Sequence, residues 1–195
     1  MGRMTTSDPT SAPAPAPASA LSGVVVVTGI MASGKSTVAQ ALAERLPKAA
    51  HVRGDVYRRM VVSGGLDYEP GAGAEAEAQL RLRYRLSAST ADAYADAGFT
   101  AVVQDVILGE ELKTYAELIR TRPLYVVVLA PRPDVVAARE AGRGKTGYGA
   151  WTVQDLDTGM RETTPRIGLW LDSSEMSVEE TVDAILAERE AARVA

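Results

Sequence analysis

Four consecutive valines at positions 24–27 run into the stretch Gly29-Ile30-Met31-Ala32-Ser33-Gly34-Lys35-Ser36, and this junction constrains the fold more than any other feature of the 195-residue chain. A β-branched run without polar alternation reads as a central parallel strand, buried on both faces. The next eight residues, from Gly29, fit the pattern G-x-x-x-x-G-K-[ST], and residues 36–46 behind them read as a helix. Strand, glycine-bounded loop and helix N-terminus, in that order, make an anion cradle. The glycines let backbone N–H groups turn inward, and the helix end adds about half a positive charge facing the same point. Lys35 is then expected to reach the β- and γ-phosphates of a nucleoside triphosphate, and Ser36 to place its hydroxyl on Mg²⁺.

The rest of the chain alternates strand and helix. Residues 50–53 predict a second strand, and 56–62 a short helix ended by Gly64 and Gly65. Residues 74–97 predict a long helix, with Leu82, Leu86 and Ala93, and Leu80, Tyr84 and Ala91, at helical spacing and Gly98 as its C-cap. Further strands are expected at 100–105, 124–130 and 167–171, and helices at 110–120 and 133–141, the latter opened by Pro133. A last helix covers 177–193, with Ser177 and Glu180 spaced as a capping box. This alternation predicts an α/β fold, a parallel sheet with helices on both faces. Gly142 to Gly149 is rich in glycine and reads as a mobile lid over the nucleotide. Residues 1–20 are rich in Pro, Ala, Ser and Thr; their alternating prolines exclude helix and central strand, so a solvated tail precedes one domain at 21–195. A docking segment for a proline-reading partner is the alternative for the tail.

Composition removes several chemistries. There is no cysteine, which excludes disulfides, thiolate metal sites and a Cys nucleophile; the single histidine, His51, cannot build a multi-His metal site. A net charge of −4 argues against a dedicated nucleic-acid binder. The longest apolar runs are strand-sized, far below the ~20 residues that span a bilayer, and no secretory signal is read. A soluble cytoplasmic protein without membrane partners is the expectation.

A phosphate loop fixes the ligand and leaves the activity open between small-molecule kinase, regulatory GTPase and oligomeric ATPase. The guanine-reading Asn-Lys-x-Asp is absent from the sequence, and a motor of AAA type needs a second helical subdomain for which there is little room. A kinase needs an acceptor pocket, a carboxylate for the hydroxyl proton, and cations near the transferring phosphate. Asp55, just after the second strand, should face the γ-phosphate from the carboxyl end of the sheet, or else cap the helix behind it. Asp105 ends an apolar strand in the layout of a carboxylate that holds Mg²⁺ or its waters, and Gln104 beside it is a candidate for the acceptor pocket. Arg132, Arg139 and Arg143 surround the lid; Arg139 and Arg143 share a face if their helix persists, and could clamp the polyphosphate. Arg58 and Arg59, with Arg81, Arg83 and Arg85, form a basic cluster that would suit an anionic or polar acceptor, or merely solvated helix faces.

The stretch from Gly29 to Thr37, Arg53-Gly54-Asp55, Gln104-Asp105 and the Arg-rich lid together resemble the chloramphenicol phosphotransferase-like group of P-loop kinases, and more broadly the nucleoside-monophosphate, gluconate and shikimate kinases. The resemblance implies a three-layer P-loop fold with sheet order 2-3-1-4-5, ATP and Mg²⁺ as cofactors, and a small molecule with a hydroxyl as partner. It implies Asp55 as general base, Lys35, Arg139 and Arg143 as catalytic cations, and Ser36 and Asp105 at the metal. Residues 29–37 and Arg132 would hold the nucleotide. The loop Ile30-Met31-Ala32-Ser33 differs from that of the antibiotic kinase, so the acceptor does not carry over. A toxin-like nucleotide-sugar kinase and a non-catalytic nucleotide-binding protein remain as alternatives.

Overall fold

The valine run forms the middle of the sheet. The computed structural model describes residues 21–142 and 151–195. Strand β1 (Val24–Thr28) is buried at every position. It pairs in parallel with β3 (Thr100–Gln104) on one side and β4 (Leu124–Leu129) on the other. Strand β2 (Ala49–Arg53) pairs with β3, and β5 (Leu169–Leu171) with β4, giving the order β2-β3-β1-β4-β5, parallel throughout.

The period of two along β1 divides the core. Val25 and Val27 pack with Val38 and Leu42 of α1 (Lys35–Arg45) and with Val182 and Ile185 of α7 (Val178–Ala187). Val24 and Val26 pack on the other face with Tyr84 and Ala88 of α3 (Ala74–Asp96), Leu112 and Tyr115 of α4 (Glu111–Leu118), Val136 of α5 (Pro133–Ala141) and Met160 of α6 (Val153–Thr163). Each fully buried aliphatic side chain contributes about 1.5–3 kcal/mol, so helix packing on both faces holds the strand ends in fixed register. A short α2 (Gly54–Arg59) succeeds β2, and α8 (Arg189–Ala192) closes the chain.

Several elements differ from the sequence reading. The Leu82, Leu86, Ala93 row of α3 is its outer face: Leu82 is 40% and Leu86 43% exposed, while Tyr84, Ala88 and Ala91 are buried. Helix α2 starts two residues early, at Gly54, and stops at Arg59 rather than running to Val62. Helix α6 has no counterpart in the sequence reading, although Thr152 and Asp155 form its capping box and Val153, Leu156 and Met160 lie at i, i+3 and i+7. The last helix breaks at Glu188 into α7 and α8, and β5 is two residues shorter at its start. Gly98 does end α3: at φ 79° its N–H bonds Ala95 and the Phe99 N–H bonds Tyr94, a Schellman arrangement. The Ser177–Glu180 box at α7 is present as read. The tail 1–20 and lid residues 143–149, Arg143 among them, lie outside the described residues.

Candidate active site

The loop between β1 and α1 has the backbone of an anion cradle. Gly29 (φ 144°), Ala32 (φ 58°) and Gly34 (φ 98°) turn it through conformations that aim N–H groups inward. A Cβ at Gly29 would overlap the Leu129 carbonyl oxygen, so this turn requires glycine. Helix α1 begins with no side-chain cap and no acidic residue in its first turn, which leaves its N-terminal dipole facing the loop. The Lys35 side chain is buried and its ammonium donates to the Ile30 carbonyl at 2.6 Å, folded back across Met31 and Ala32. Ser33 Oγ is buried without a hydrogen-bond partner among the described residues. An anion in the cradle would satisfy it. Thr28 clamps the loop to the neighbouring strand end, donating to the Ile107 carbonyl at 2.8 Å and accepting from the Ile107 N–H at 2.9 Å.

That clamp fixes the segment carrying Asp105. Asp105 is 3% exposed, and Arg83 of α3 holds both its oxygens, Nε to Oδ2 at 2.9 Å and Nη2 to Oδ1 at 2.5 Å. The Val106 N–H also donates to Oδ1 at 2.8 Å. Burial pushes the Asp105 carboxyl upward, and Arg83, the Val106 amide and Lys35 pull against it. Arg83 therefore does not belong to a solvated helix face, one of the two readings open for the basic cluster. The carboxylate lies so close to Gly54 that any Cβ there would collide with it. This contact explains the start of α2 and corrects the capping alternative for Asp55: Arg53 occupies the N-cap position without a side-chain cap, and Asp55 stands inside the first turn. Asp55 is half-exposed and pairs with Arg59 at 2.7 Å. Gln104 lies between the ends of β1 and β2, paired in register with Val27 and Arg53, and its Oε1 is buried without a partner among the described residues.

On the opposite side of the cradle, Arg139 of α5 donates to the carbonyls of Ser33 at 3.5 Å and Ser173 at 3.1 Å. It thereby borders a cavity of about 210 Å³ that Thr37, Ser173 and Met176 also line. Ser173 Oγ is a further buried hydroxyl without a partner among the described residues. Arg132 is more remote, pairing with Glu175 at 2.6 Å and Asp134 at 3.5 Å. A second, open cleft of about 490 Å³ runs from Ser36 and Thr37 past Gln40 to Arg53. The sequence reading missed Ser173 and the α6 residue Arg161, which ties Asp157 at 2.8 Å to the Ala130 carbonyl at 3.1 Å. Only a Ser-rich turn after a strand end hinted at the first, and an i,i+4 Asp–Arg pair at the second.

The donors at the cradle suit a hard cation. Ser36 in the first turn of α1 and Asp105 just after β3 offer oxygen alone, and no group of three or more His, Cys, Asp or Glu among the described residues could cage a metal. Mg²⁺ fits such a sparse set, because it keeps waters and takes its remaining ligands from substrate phosphates.

A parallel 2-3-1-4-5 sheet with this cradle at the end of its middle strand has the fold of the P-loop kinases. Residues 24–162 match the family model described as an AAA domain, and the chain belongs to that family. Beyond the matched residues, β5 lies in the same sheet, with α7 and α8 packed on it. Similar solved structures include a sugar kinase from Janibacter sp. HTCC2649 (20% identity, 88% of this chain and 96% of that one, TM-score 0.66). An APS kinase of Mycobacterium tuberculosis in complex with AMPPNP and APS is 19% identical over 88% of this chain and 99% of its own, with a TM-score of 0.65. A tunicamycin resistance protein of Deinococcus radiodurans is 17% identical over 90% and 99%, with a TM-score of 0.62. No curated protein matches the chain. No described helix is long and apolar enough to cross a membrane.

Proposed function

We propose that this protein is an ATP- and Mg²⁺-dependent phosphotransferase acting on a hydroxyl of a small molecule, as its motifs' resemblance to the chloramphenicol phosphotransferase-like kinases implies. One observation carries the reading. Three neighbouring parallel strands, β2, β3 and β1, end on the same edge of the sheet, and the uncapped α1 N-terminus, Asp55 and Asp105 all follow those ends. A nucleotide-binding switch needs the cradle and a metal-side carboxylate, whereas a further carboxylate at the same edge serves an acceptor. The sugar kinase and APS kinase among the similar structures support transfer chemistry and differ in acceptor.

In this reading the cradle amides and Lys35 hold and neutralise the phosphates, with Arg139 approaching from the other side and Arg143 as its partner in the clamp. Arg132 stands at the rim of the nucleotide side. The nucleoside occupies the cavity beside Arg139 that Thr37, Ser173 and Met176 line. Ser36 and Asp105 would hold Mg²⁺, which would neutralise charge on the polyphosphate. Asp55 takes the acceptor's hydroxyl proton while that oxygen bonds the γ-phosphorus; the bond to the bridging oxygen breaks and its electron pair leaves with ADP. The test is ADP release from Mg·ATP, with and without a panel of hydroxylated compounds. Acceptor-dependent release supports the proposal, and tight ATP binding with no acceptor able to raise turnover rejects it.

A further inference from the structure

We infer that Gln104 is a positioning residue for the metal: its side-chain oxygen accepts a hydrogen bond from the hydration shell of the Mg²⁺ held at Ser36. This rests on the Mg²⁺·ATP part of the reading above. Gln104 is 7% exposed, and its Oε1 is buried without a partner among the described residues. A buried acceptor left unpaired is costly, so its donor is expected to arrive with something the site binds.

Strand alternation decides which way the amide faces. Val27 and Val102 pack with Val38 and Leu42 of α1, whereas Val103 belongs to the core on the other face. Gln104 follows Val102 by two residues and pairs in register with Val27, so it shares the α1 face. Arg53, its partner on β2, faces the same way. Asp105, one residue on, turns to the opposite face and meets Arg83 of α3.

Height along the sheet follows from a second contact. One row before Gln104, His51 pairs with Val102, and the His51 Nδ1 lies 2.8 Å from Gln40 Oε1 of α1. Helix α1 runs back against the strand direction, as a right-handed crossover requires. Two residues onward along β2 and β3 cover about 6.6 Å, and four residues back along α1, from Gln40 to Ser36, cover about 6 Å. Ser36 therefore stands level with the row of Gln104 and Arg53, on the same helix face as Gln40. The open cleft agrees, since Ser36, Gln40 and Arg53 all line it. The Gln40 amide is already engaged: its Nε2 donates to Glu44 at 2.8 Å and its Oε1 holds His51. What reaches this level with bound nucleotide is the cation at Ser36. Mg²⁺ keeps several of its waters, and each is a polarised donor. An amide oxygen fixed by burial orients one of them, and the shell with it. Gln104 thus serves the metal rather than the acceptor pocket.

The experiment uses the full chain and a fluorescent ATP analogue, with binding measured first in EDTA and then in rising Mg²⁺. In the wild type Mg²⁺ should tighten binding. Gln104→Met, close in size and without the acceptor, should raise the Mg²⁺ concentration at half-saturation by about tenfold, the effect of one hydrogen bond to a charged group. Its affinity in EDTA and its melting temperature should hold, because the amide oxygen loses no protein partner. Gln104→Glu keeps an acceptor at the same reach and should respond to Mg²⁺ at least as readily as the wild type. A Met variant with unchanged half-saturation overturns the inference and leaves an ordinary buried water at the amide. An affinity loss equal with and without Mg²⁺, a Met variant that fails to fold, or a Glu variant as impaired as the Met variant overturns it as well, each marking a structural role. A wild type that binds the analogue equally with and without Mg²⁺ overturns this inference alone. A wild type that binds no analogue at any Mg²⁺ concentration rejects instead the phosphotransferase reading.

Discussion

Replacing Arg83 by Met strips the charge from a buried pair while keeping most of the aliphatic stem. The side chains of Arg83 and Asp105 are 16% and 4% exposed, so water does little to screen them. After the change Asp105 keeps the Val106 N–H, with Lys35 the next cation in reach. Removing one partner of a buried pair costs about 3–5 kcal/mol. An independent bound comes from protonation, since an unpaired buried carboxyl escapes its penalty by taking a proton. From the ordinary value of 3.8 this costs ~4 kcal/mol at pH 7, at 1.36 kcal/mol per unit, and under ~2 kcal/mol at pH 5. The two figures agree at neutral pH, and the second predicts the trend. Raising the folded pKa of an acid makes the native state the better proton binder, so stability falls as pH rises above the unfolded value. Urea unfolding of wild type and Arg83→Met at pH 7 and pH 5 should therefore show a destabilisation of about 4 kcal/mol that shrinks by ~3 kcal/mol at the lower pH. Adding Asp105→Asn, which keeps size and the Val106 contact, should recover most of the loss at pH 7. A cost below about 1 kcal/mol, or one equal at both pH values, would refute the buried pair as the organiser of this strand end.

Lys35→Met should lower ATP affinity by about 10²-fold or more and abolish transfer while the melting temperature stays within a few degrees, read by calorimetry and equilibrium binding. Asp55→Asn should keep stability and ATP affinity but reduce acceptor-dependent turnover by roughly 10²–10⁴, because the amide cannot take a proton; retention of more than about a tenth of the rate excludes Asp55 as base. Burial lowers the His51 pKa below 6.5, with the Arg53 cation adding to the effect and Asp55 opposing it. A His with a depressed folded value contributes stability above its unfolded pKa and loses it as pH falls through 6.5. Wild type should thus lose stability relative to His51→Gln between pH 7 and pH 5.5 in denaturant titrations, and parallel curves would contradict the placement of the ring.

Legibility in the sequence tracked locality. The β1–cradle–α1 junction was readable because strand burial, glycine spacing and helix polarity all act within about a dozen residues, and each pointed the same way. The α7 capping box and the Schellman end of α3 are equally local. The long helix was readable in extent but not in phase. Two apolar rows, Leu80-Tyr84-Ala91 and Leu82-Leu86-Ala93, competed for the buried side. Only docking against β3 and α4 selected the first, where Tyr84 meets Tyr115 edge-on and both ring hydroxyls find partners. Helix α6 escaped because Gly159 dilutes its pattern and its box uses Asp155 in place of the usual Glu.

The step from motifs to site depends on one glycine. Arg53-Gly54-Asp55 and Gln104-Asp105 lie fifty residues apart and read as separate hints, yet they are one packing unit, because the space where a side chain at Gly54 would sit is filled by the Asp105 carboxylate. The contact lets β2 and β3 end level with each other, Arg53 opposite Gln104. Helix α2 can then turn immediately, with Asp55 in its first turn. Arg83 closes the unit from the third side, so α3, the Asp105 carboxylate and the turn that carries Asp55 share a single buried contact. Such coupling leaves no periodicity or spacing in the sequence, since its members come from three elements and meet only when the sheet is assembled. Any residue larger than glycine at position 54 must therefore displace Asp105, disturbing the ends of β2 and β3 together.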